Sequence, residues 1–145
     1  MNTEDYVSYP IALALKKAGF EWPCHYGYSV KMRLEPEPSF GEPKMVHSKA
    51  PKNYNDNRKG IEKGLEFCSA VPLWQAQKWL REKKNIEVNA VWSYEESDWF
   101  TYSSPMCRPQ VMDSDVSDTP YSSYEQALSA GIASALELIE NNKNN

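Results

Sequence analysis

Residues 24–34 read CHYGYSVKMRL, and an apolar or aromatic side chain, or a cysteine, occupies every even position. The odd positions are small, polar or charged, so the stretch has the period of two that marks a strand with one buried face. The sequence therefore predicts a β-strand over Cys24–Leu34 with a polar second face. That face is either solvated surface or a platform for a partner, and the residues leave both readings open.

Helix signals occur at three other places in the chain. The first predicted helix covers Tyr9–Ala18 and stops at Gly19, because glycine readily adopts the left-handed conformation that ends helices. The second covers Leu73–Lys84. The third follows Ser123 and Gln126, which have the spacing of a capping box. We therefore expect three helices.

Further strands are expected from short apolar runs. Leu65–Ala70 is predicted to pair with the first strand, and 86–94 with 99–103 is predicted to form a hairpin around a polar turn. Residues 35–64 contain four prolines and show no sustained period, which predicts a flexible insert. The polar tail, 141–145, is predicted to be disordered.

The order of elements is thus helix, strand, insert, strand, helix, strand, strand, helix. This order favours the α+β class, with a mainly antiparallel sheet of four or five strands and three helices packed on one face. A length of 145 residues suits a single domain, residues 1–145.

Charge is unevenly distributed along the chain. Residues 31–84 carry twelve Lys and Arg against seven Asp and Glu, whereas residues 85–145 carry two against ten. The net charge of −4 therefore hides a basic middle and an acidic end. The two parts either neutralise each other across one surface or leave a basic face for an anionic partner.

Cysteine usage and hydropathy bear on the compartment. Cys24, Cys68 and Cys107 are odd in number and have no paired spacing, which favours a reducing environment. The N-terminal residues are polar and acidic, and no long apolar run follows them. We expect a cytoplasmic protein without a membrane segment.

The residue patterns that support catalysis are mostly missing. Adjacent strand residues point to opposite faces, so Cys24 and His25 cannot form a catalytic pair with each other. A pair between His25 and Cys68 or Cys107 remains open as an enzymatic alternative. Scattered Cys and His give no zinc spacing, and the glycines form no phosphate-binding loop. We therefore expect no metal, no cofactor and no catalytic residues.

Three segments carry a resemblance to a known group of proteins. They read DYVSYPIALALKKAGFEWPC, LWQAQKWLREKKNIEV and YSSYEQALSAGIASALELI. In these segments the chain resembles a family of uncharacterised small proteins from gut-bacterial genomes, prophages and phages. The resemblance implies a mobile-element setting and no established activity, since its motifs are fold motifs.

These observations favour a non-enzymatic accessory protein of a phage or mobile element that binds a macromolecular partner. Exposed aromatic residues and sheet charges are the expected binding residues: Trp74, Trp79, Trp99, Lys31 and Arg33. One alternative is a protein that sequesters a small anionic or nucleotide-derived host signal. Another is a nucleic-acid-binding module, which the sequence pI of about 5.2 opposes. A homo-oligomer is left open.

Overall fold

A computed structural model gives the fold and describes residues 2–33, 36–56, 64–105 and 119–143. After a short 3-10 helix at Thr3–Asp5, the described α-helices are α1 (Tyr9–Ala18), α2 (Leu73–Lys84) and α3 (Tyr124–Lys143). The described strands are β1 (Cys24–Arg33), β2 (Ser39–Phe40), β3 (Lys44–Lys52), β4 (Leu65–Ser69), β5 (Ile86–Ser93) and β6 (Asp98–Pro105). The strands pair antiparallel, so the predicted α+β class is confirmed.

Contacts between residues divide the protein into two compact units. One unit, Ser8–Val71, holds α1 and a four-stranded sheet of β1 to β4. The other joins Met1–Val7 to Pro72–Asn145 and holds α2, α3 and the two-stranded β5–β6 hairpin. The predicted antiparallel sheet of four or five strands is confirmed with four strands; the other two described strands form a separate hairpin on which α2 and α3 pack, which the prediction of one sheet did not include. The expectation of a single domain stays a prediction.

Helix α1 has the predicted bounds, and the residues that follow it explain its end. Gly19 adopts a left-handed φ of 98°, which costs glycine little. Its N–H bonds to the Lys16 carbonyl, and the Phe20 N–H bonds to the Leu15 carbonyl. This pair of bonds is a Schellman motif, which satisfies the last helical carbonyls and leaves the apolar Phe20 buried.

Strand β1 is the central strand of the four-stranded sheet. Gly27, Tyr28 and Ser29 each face one residue of β3 and one residue of β4. Strands β3 and β4 therefore lie along opposite edges of β1. The strand predicted at Leu65–Ala70 is β4, which pairs with β1 as expected.

Strands β2 and β3 lie where the sequence predicted a flexible insert. Strand β3 has an irregular register, because Tyr26 faces His47 while Cys24 faces Lys52. Lysines and Pro51 hide its alternating pattern, and an edge strand tolerates them since one side of its backbone needs no partner. The loop expectation is wrong for these two strands, and residues 35 and 57–63 lie outside the described residues.

Helix α1 packs on one face of the four-stranded sheet. The Tyr9 ring meets the Tyr28 ring edge-on, with 5.7 Å between centroids. Lys16 Nζ donates to the Phe67 carbonyl at 2.9 Å and lies 3.7 Å from a Glu66 carboxylate oxygen. These contacts place α1 over the face formed by the even-numbered residues of β1.

The other face of β1, predicted to be polar, is partly covered by Tyr54. The Tyr54 hydroxyl donates to the His25 carbonyl at 3.0 Å, and the side chain is buried. Its ring occupies the space above Gly27, where an added β-carbon would lie 2.5 Å from Tyr54 Cδ1. A side chain at position 27 and the Tyr54 ring therefore cannot share this space.

In the second unit, α2 and α3 pack on the β5–β6 hairpin. The left-handed Asn85, with φ of 56°, ends α2 at the predicted residue. Helix α3 continues to Lys143, so residues 141–143 are helical although the sequence predicted a disordered tail. Residues 144–145 of that tail lie outside the described residues.

The hairpin forms at the predicted place. Its strands pair without a register shift from Ile86 opposite Pro105 to Ser93 opposite Asp98. A turn of four residues, 94–97, connects them, and Ser97 adopts a left-handed φ of 55°. The Ser97 N–H bonds to the Ser93 carbonyl at 2.8 Å, which closes the turn.

Gly27→Ala is expected to destabilise the protein, although alanine normally suits a strand better than glycine. Overpacking against the Tyr54 ring should lower the free energy of unfolding by about 1–3 kcal/mol. Gly41→Ala is the matched control, because its added β-carbon would lie 3.6 Å from Lys31 Cβ, an ordinary contact. Urea unfolding measures both changes.

A double-mutant cycle isolates the cause of this cost. In a Tyr54→Ala background the space above position 27 is open, so Gly27→Ala should no longer destabilise. An equal cost in both backgrounds would show that the Tyr54 ring is not responsible.

Candidate functional site

Three aromatic rings form a contiguous group at the end of the hairpin nearest its turn. Trp92 of β5 lies opposite Trp99 of β6, and their rings meet at 64° with centroids 5.2 Å apart. The Trp99 ring meets the Tyr124 ring at 83°, with centroids 5.4 Å apart. Both contacts have the edge-to-face geometry that aromatic pairs favour. We call Trp92, Trp99 and Tyr124 the tip cluster.

The segment before α3 holds Tyr124 against the hairpin. Tyr121 and Trp99 exchange two backbone hydrogen bonds, of 3.1 and 2.7 Å. The Ser123 hydroxyl then accepts the Gln126 N–H at 3.1 Å, which is one half of the predicted capping box, while Gln126 Oε1 accepts from the Ser122 hydroxyl at 2.8 Å. These bonds fix the first turn of α3, and with it the Tyr124 backbone, beside Trp99.

Helix α3 covers only part of the hairpin face. Gly131 lies so close to β5 and β6 that an added β-carbon would overlap Thr101 Oγ1 and lie 2.7 Å from Val88 Cγ1. Along the same face of β5, Val88 is fully buried and Trp92 is 39% exposed, and Tyr94 in the turn is 90% exposed. Helix α3 therefore does not cover the part of the hairpin near the turn, and the aromatic side chains there are exposed to solvent.

Carboxylates are the only charged side chains in the segments that carry the tip cluster. Residues 86–103 and 119–126 contain five carboxylates and neither Lys nor Arg. Glu87 lies 4.0 Å from an Arg81 guanidinium nitrogen on α2. The other four carboxylates, Glu95, Glu96, Asp98 and Glu125, lie in the turn or next to a cluster residue. The site therefore combines exposed aromatic rings with an acidic rim.

The three tryptophans predicted as exposed binding residues differ in their surroundings. Trp74 is 63% exposed on α2, as predicted. Trp79 is 3% exposed and lies under Lys84 Nζ, 5.5 Å from its ring centroid, so its predicted exposure is wrong. Trp99 is half-buried within the tip cluster. The structure thus brings Trp99 together with Trp92 and Tyr124, two residues that were not predicted from the sequence as binding residues.

The missed residues had a signal in the sequence. The alternating apolar positions of β5 continue through Trp92 to Tyr94, which already lies in the hairpin turn. An alternating pattern that runs into a turn marks side chains that leave the core. Tyr124 could not be found in this way, because its contact with Trp99 depends on the Tyr121 bridge.

The two sheet charges predicted for a partner are exposed on one face of β1. Lys31 and Arg33 have the odd-numbered parity of Ser29, and Ser29 lies opposite Lys44 of β3. Lys44 is also exposed and shares this face. The three cations form a second candidate surface, which we call the basic sheet face.

The described cysteines have the surroundings of core residues. Cys68 faces Tyr28 on the even face of the sheet, while His25 is on the odd face and its Nδ1 lies 3.1 Å from the Ser48 carbonyl oxygen. The open alternative of a Cys68–His25 pair is therefore wrong. Burial raises the pKa of Cys24 to about 11 and that of Cys68 to about 12. Cys107 lies outside the described residues.

Both buried thiols are expected to resist alkylation. In a Cys107→Ser variant at pH 8, iodoacetamide should label neither Cys24 nor Cys68 of the native protein but both in guanidinium, because the thiolate is the reactive form. Equal labelling of native and unfolded protein would contradict the burial of these thiols.

The same thiols predict a pH dependence of stability. Folding raises both pKa values above the ordinary 9.0, so the unfolded chain loses these protons first as pH rises. The free energy of unfolding should therefore keep its full thiol contribution below about pH 9 and fall as pH rises further.

Across the described ranges, no group of three His, Cys, Asp or Glu side chains could hold a metal ion. No described helix combines the length and the apolar character needed to cross a membrane. No protein-family model, curated protein or solved structure matches this chain.

Proposed function

We propose that this chain is a non-enzymatic binding protein that holds a partner protein at the tip cluster. The observation that carries the proposal is the exposure of rings that are already fixed by neighbouring rings and by a backbone bridge. Trp and Tyr are the residues that most often anchor protein interfaces, because they bury a large area and lose few rotatable bonds. A fixed ring loses still less on binding.

The biological setting of the proposal comes from the sequence. The resemblance to small phage and prophage proteins supports an accessory role in the cytoplasm of a bacterial host. In that setting the partner is a host or phage protein. The neutral buried thiols and the separation of Cys68 from His25 support binding rather than nucleophilic catalysis.

A capture experiment with matched variants tests the role of the tip cluster. The immobilised chain is exposed to lysates of gut bacteria, and bound proteins are quantified by mass spectrometry. A Trp92→Ala and Tyr124→Ala double variant should retain roughly one thirtieth or less of the wild-type affinity for the captured partner, since a central aromatic anchor contributes about 2 kcal/mol or more. Trp74→Ala is the matched control, because Trp74 is a single exposed ring on α2.

The two variants separate the predicted sites. Loss of the partner with Trp74→Ala and not with the double variant would move the site to α2. Equal capture by all three proteins would refute a site built on either group of aromatic rings. Circular dichroism verifies that each variant is folded.

The basic sheet face supports a second candidate function, the binding of a small anionic ligand or a nucleic acid. Lys31, Arg33 and Lys44 are exposed on the same face of the four-stranded sheet. Three such cations attract phosphate groups. This candidate corresponds to the sequestering protein or nucleic-acid module left open by the sequence.

Native mass spectrometry tests this second candidate. For this function the protein should carry an anionic ligand at defined stoichiometry, and Lys31→Glu with Arg33→Glu should abolish it by reversing two charges on one face. Lys83→Glu, an exposed lysine on α2, is the control and should keep the ligand. A wild-type protein that carries no anion and does not shift a labelled oligonucleotide would exclude the candidate.

A further inference from the structure

The hydrogen bonds of Trp99 determine which backbone groups of the hairpin face outward. Its N–H and carbonyl both bond to Tyr121, so they point away from β5. Trp92 lies directly opposite Trp99. In an antiparallel ladder such residues form a non-hydrogen-bonded pair, and both turn their backbone groups away from each other. The N–H and carbonyl of Trp92 therefore face the outer edge of β5.

The same alternation repeats at every second residue of β5. Ala90 lies opposite Thr101 and Val88 opposite Ser103, so these residues also face the outer edge. The Val88 carbonyl shows this directly, because it accepts a 2.7 Å hydrogen bond from Gln77 Nε2 on α2. Within the described ranges, no hydrogen bond reaches the N–H or carbonyl of Ala90 or Trp92. Helix α2 thus covers the edge at Val88 and leaves it open closer to the turn.

Another described sheet edge, that of β3, is protected in a different way. Strand β3 carries lysines, Pro51 and a register shift, which are the features that stop an edge from pairing with another strand. The outer edge of β5 at Ala90 and Trp92 has none of these, and its register is regular. An extended segment can therefore add beside β5 without repacking the hairpin.

The charges close to the outer edge of β5 indicate which kind of segment can bind there. The turn next to Trp92 carries Glu95 and Glu96, and residues 86–103 and 119–126 contain no Lys or Arg. Trp92, Tyr94 and Tyr124 are exposed aromatic residues, and aromatic rings attract cations. A second copy of this chain would bring equal negative charge to the same edge, so self-pairing is disfavoured. A basic segment can form ion pairs with the carboxylates and cation–π contacts with the aromatic rings.

We infer that the outer edge of β5 at Ala90 and Trp92 accepts an extended, basic segment of the partner protein, which adds to the hairpin as a further strand. This inference rests on the proposed function, since it names the chemistry of the partner bound at the tip cluster. Main-chain hydrogen bonds to the edge would give the segment its position. Its Arg or Lys side chains would lie against the exposed rings and the acidic turn.

Two synthetic peptides with blocked ends provide the probe. One alternates arginine and valine over about nine residues, so that its cations share one face of a strand. The other has glutamate in place of arginine. Fluorescence anisotropy should show binding of the arginine peptide that weakens with salt, and no binding of the glutamate peptide. Equal affinity for both peptides would overturn the basic specificity.

An edge variant tests the strand addition itself. Ala90→Pro removes an outward N–H and leaves the ladder bonds to β6 in place, so it should weaken the arginine peptide at least ten-fold. Ala90→Val retains the N–H and is the matched control. Glu95→Lys with Glu96→Lys should weaken the same peptide by a similar factor. Unchanged affinity in a folded Ala90→Pro variant would overturn the inference.

Hydrogen exchange followed by NMR provides a test that needs no variant. The arginine peptide should slow exchange at the amides of Ala90 and Trp92 but scarcely at Val91, whose N–H already bonds within the ladder. Uniform or absent protection would overturn strand addition. Dimerisation of the free protein through these amides would also overturn it, by identifying a second copy as the occupant.

Failure of this inference can be distinguished from failure of the proposed function. If Ala90→Pro still captures the lysate partner while the Trp92 and Tyr124 double variant does not, the partner binds the rings without adding a strand. If the double variant captures normally, the tip cluster is not the binding site.

Discussion

The two hydrogen bonds between Trp99 and Tyr121 set the phase of the β5–β6 ladder. Because they occupy the outward groups of Trp99, the opposite residue Trp92 forms a non-hydrogen-bonded pair with it. Such pairs bring their α-carbons about 4.5 Å apart, closer than hydrogen-bonded pairs. The contact between the two indole rings and the open backbone groups of Trp92 are therefore two results of one constraint. A ladder of the opposite phase would move the two rings further apart and turn the backbone groups of Val91, rather than those of Ala90 and Trp92, to the outer edge.

Local signals were enough to predict the helices and the hairpin. Gly19 and Asn85 end α1 and α2 by adopting left-handed φ values, and residues of these types mark helix ends in a sequence. Strand β3 could not be predicted because its residues satisfy edge requirements rather than an alternating core pattern. The division of the strands into two sheets depends on pairing partners far apart in sequence. Periodicity within one segment contains no information on that pairing.

The candidate site was predictable only in part. On α2 the buried residues Leu73, Ala76 and Leu80 define one face; at 100° per residue Trp79 lies about 60° from Ala76 and Trp74 about 100° from Leu73, so the two tryptophans lie at opposite margins of that face. Helical periodicity alone therefore does not decide which of the two tryptophans is buried. The exposure of Trp92 depends on how much of the hairpin α3 covers, and the periodicity of a single segment does not contain that information. Tertiary contacts, rather than residue types, select the tip cluster.

Exposed charges of opposite sign lie on different elements, with cations on the four-stranded sheet and carboxylates at the hairpin turn. Screening at physiological ionic strength acts over about 8 Å, so a partner in contact with the hairpin turn senses its carboxylates more than the net charge of −4. A phosphate-rich ligand is repelled there and attracted to Lys31, Arg33 and Lys44. A basic peptide has the reverse preference. For the two proposed functions, the sign of the charge on a partner would therefore select between these surfaces, and a partner that depends on the aromatic rings must tolerate the carboxylates of the hairpin turn.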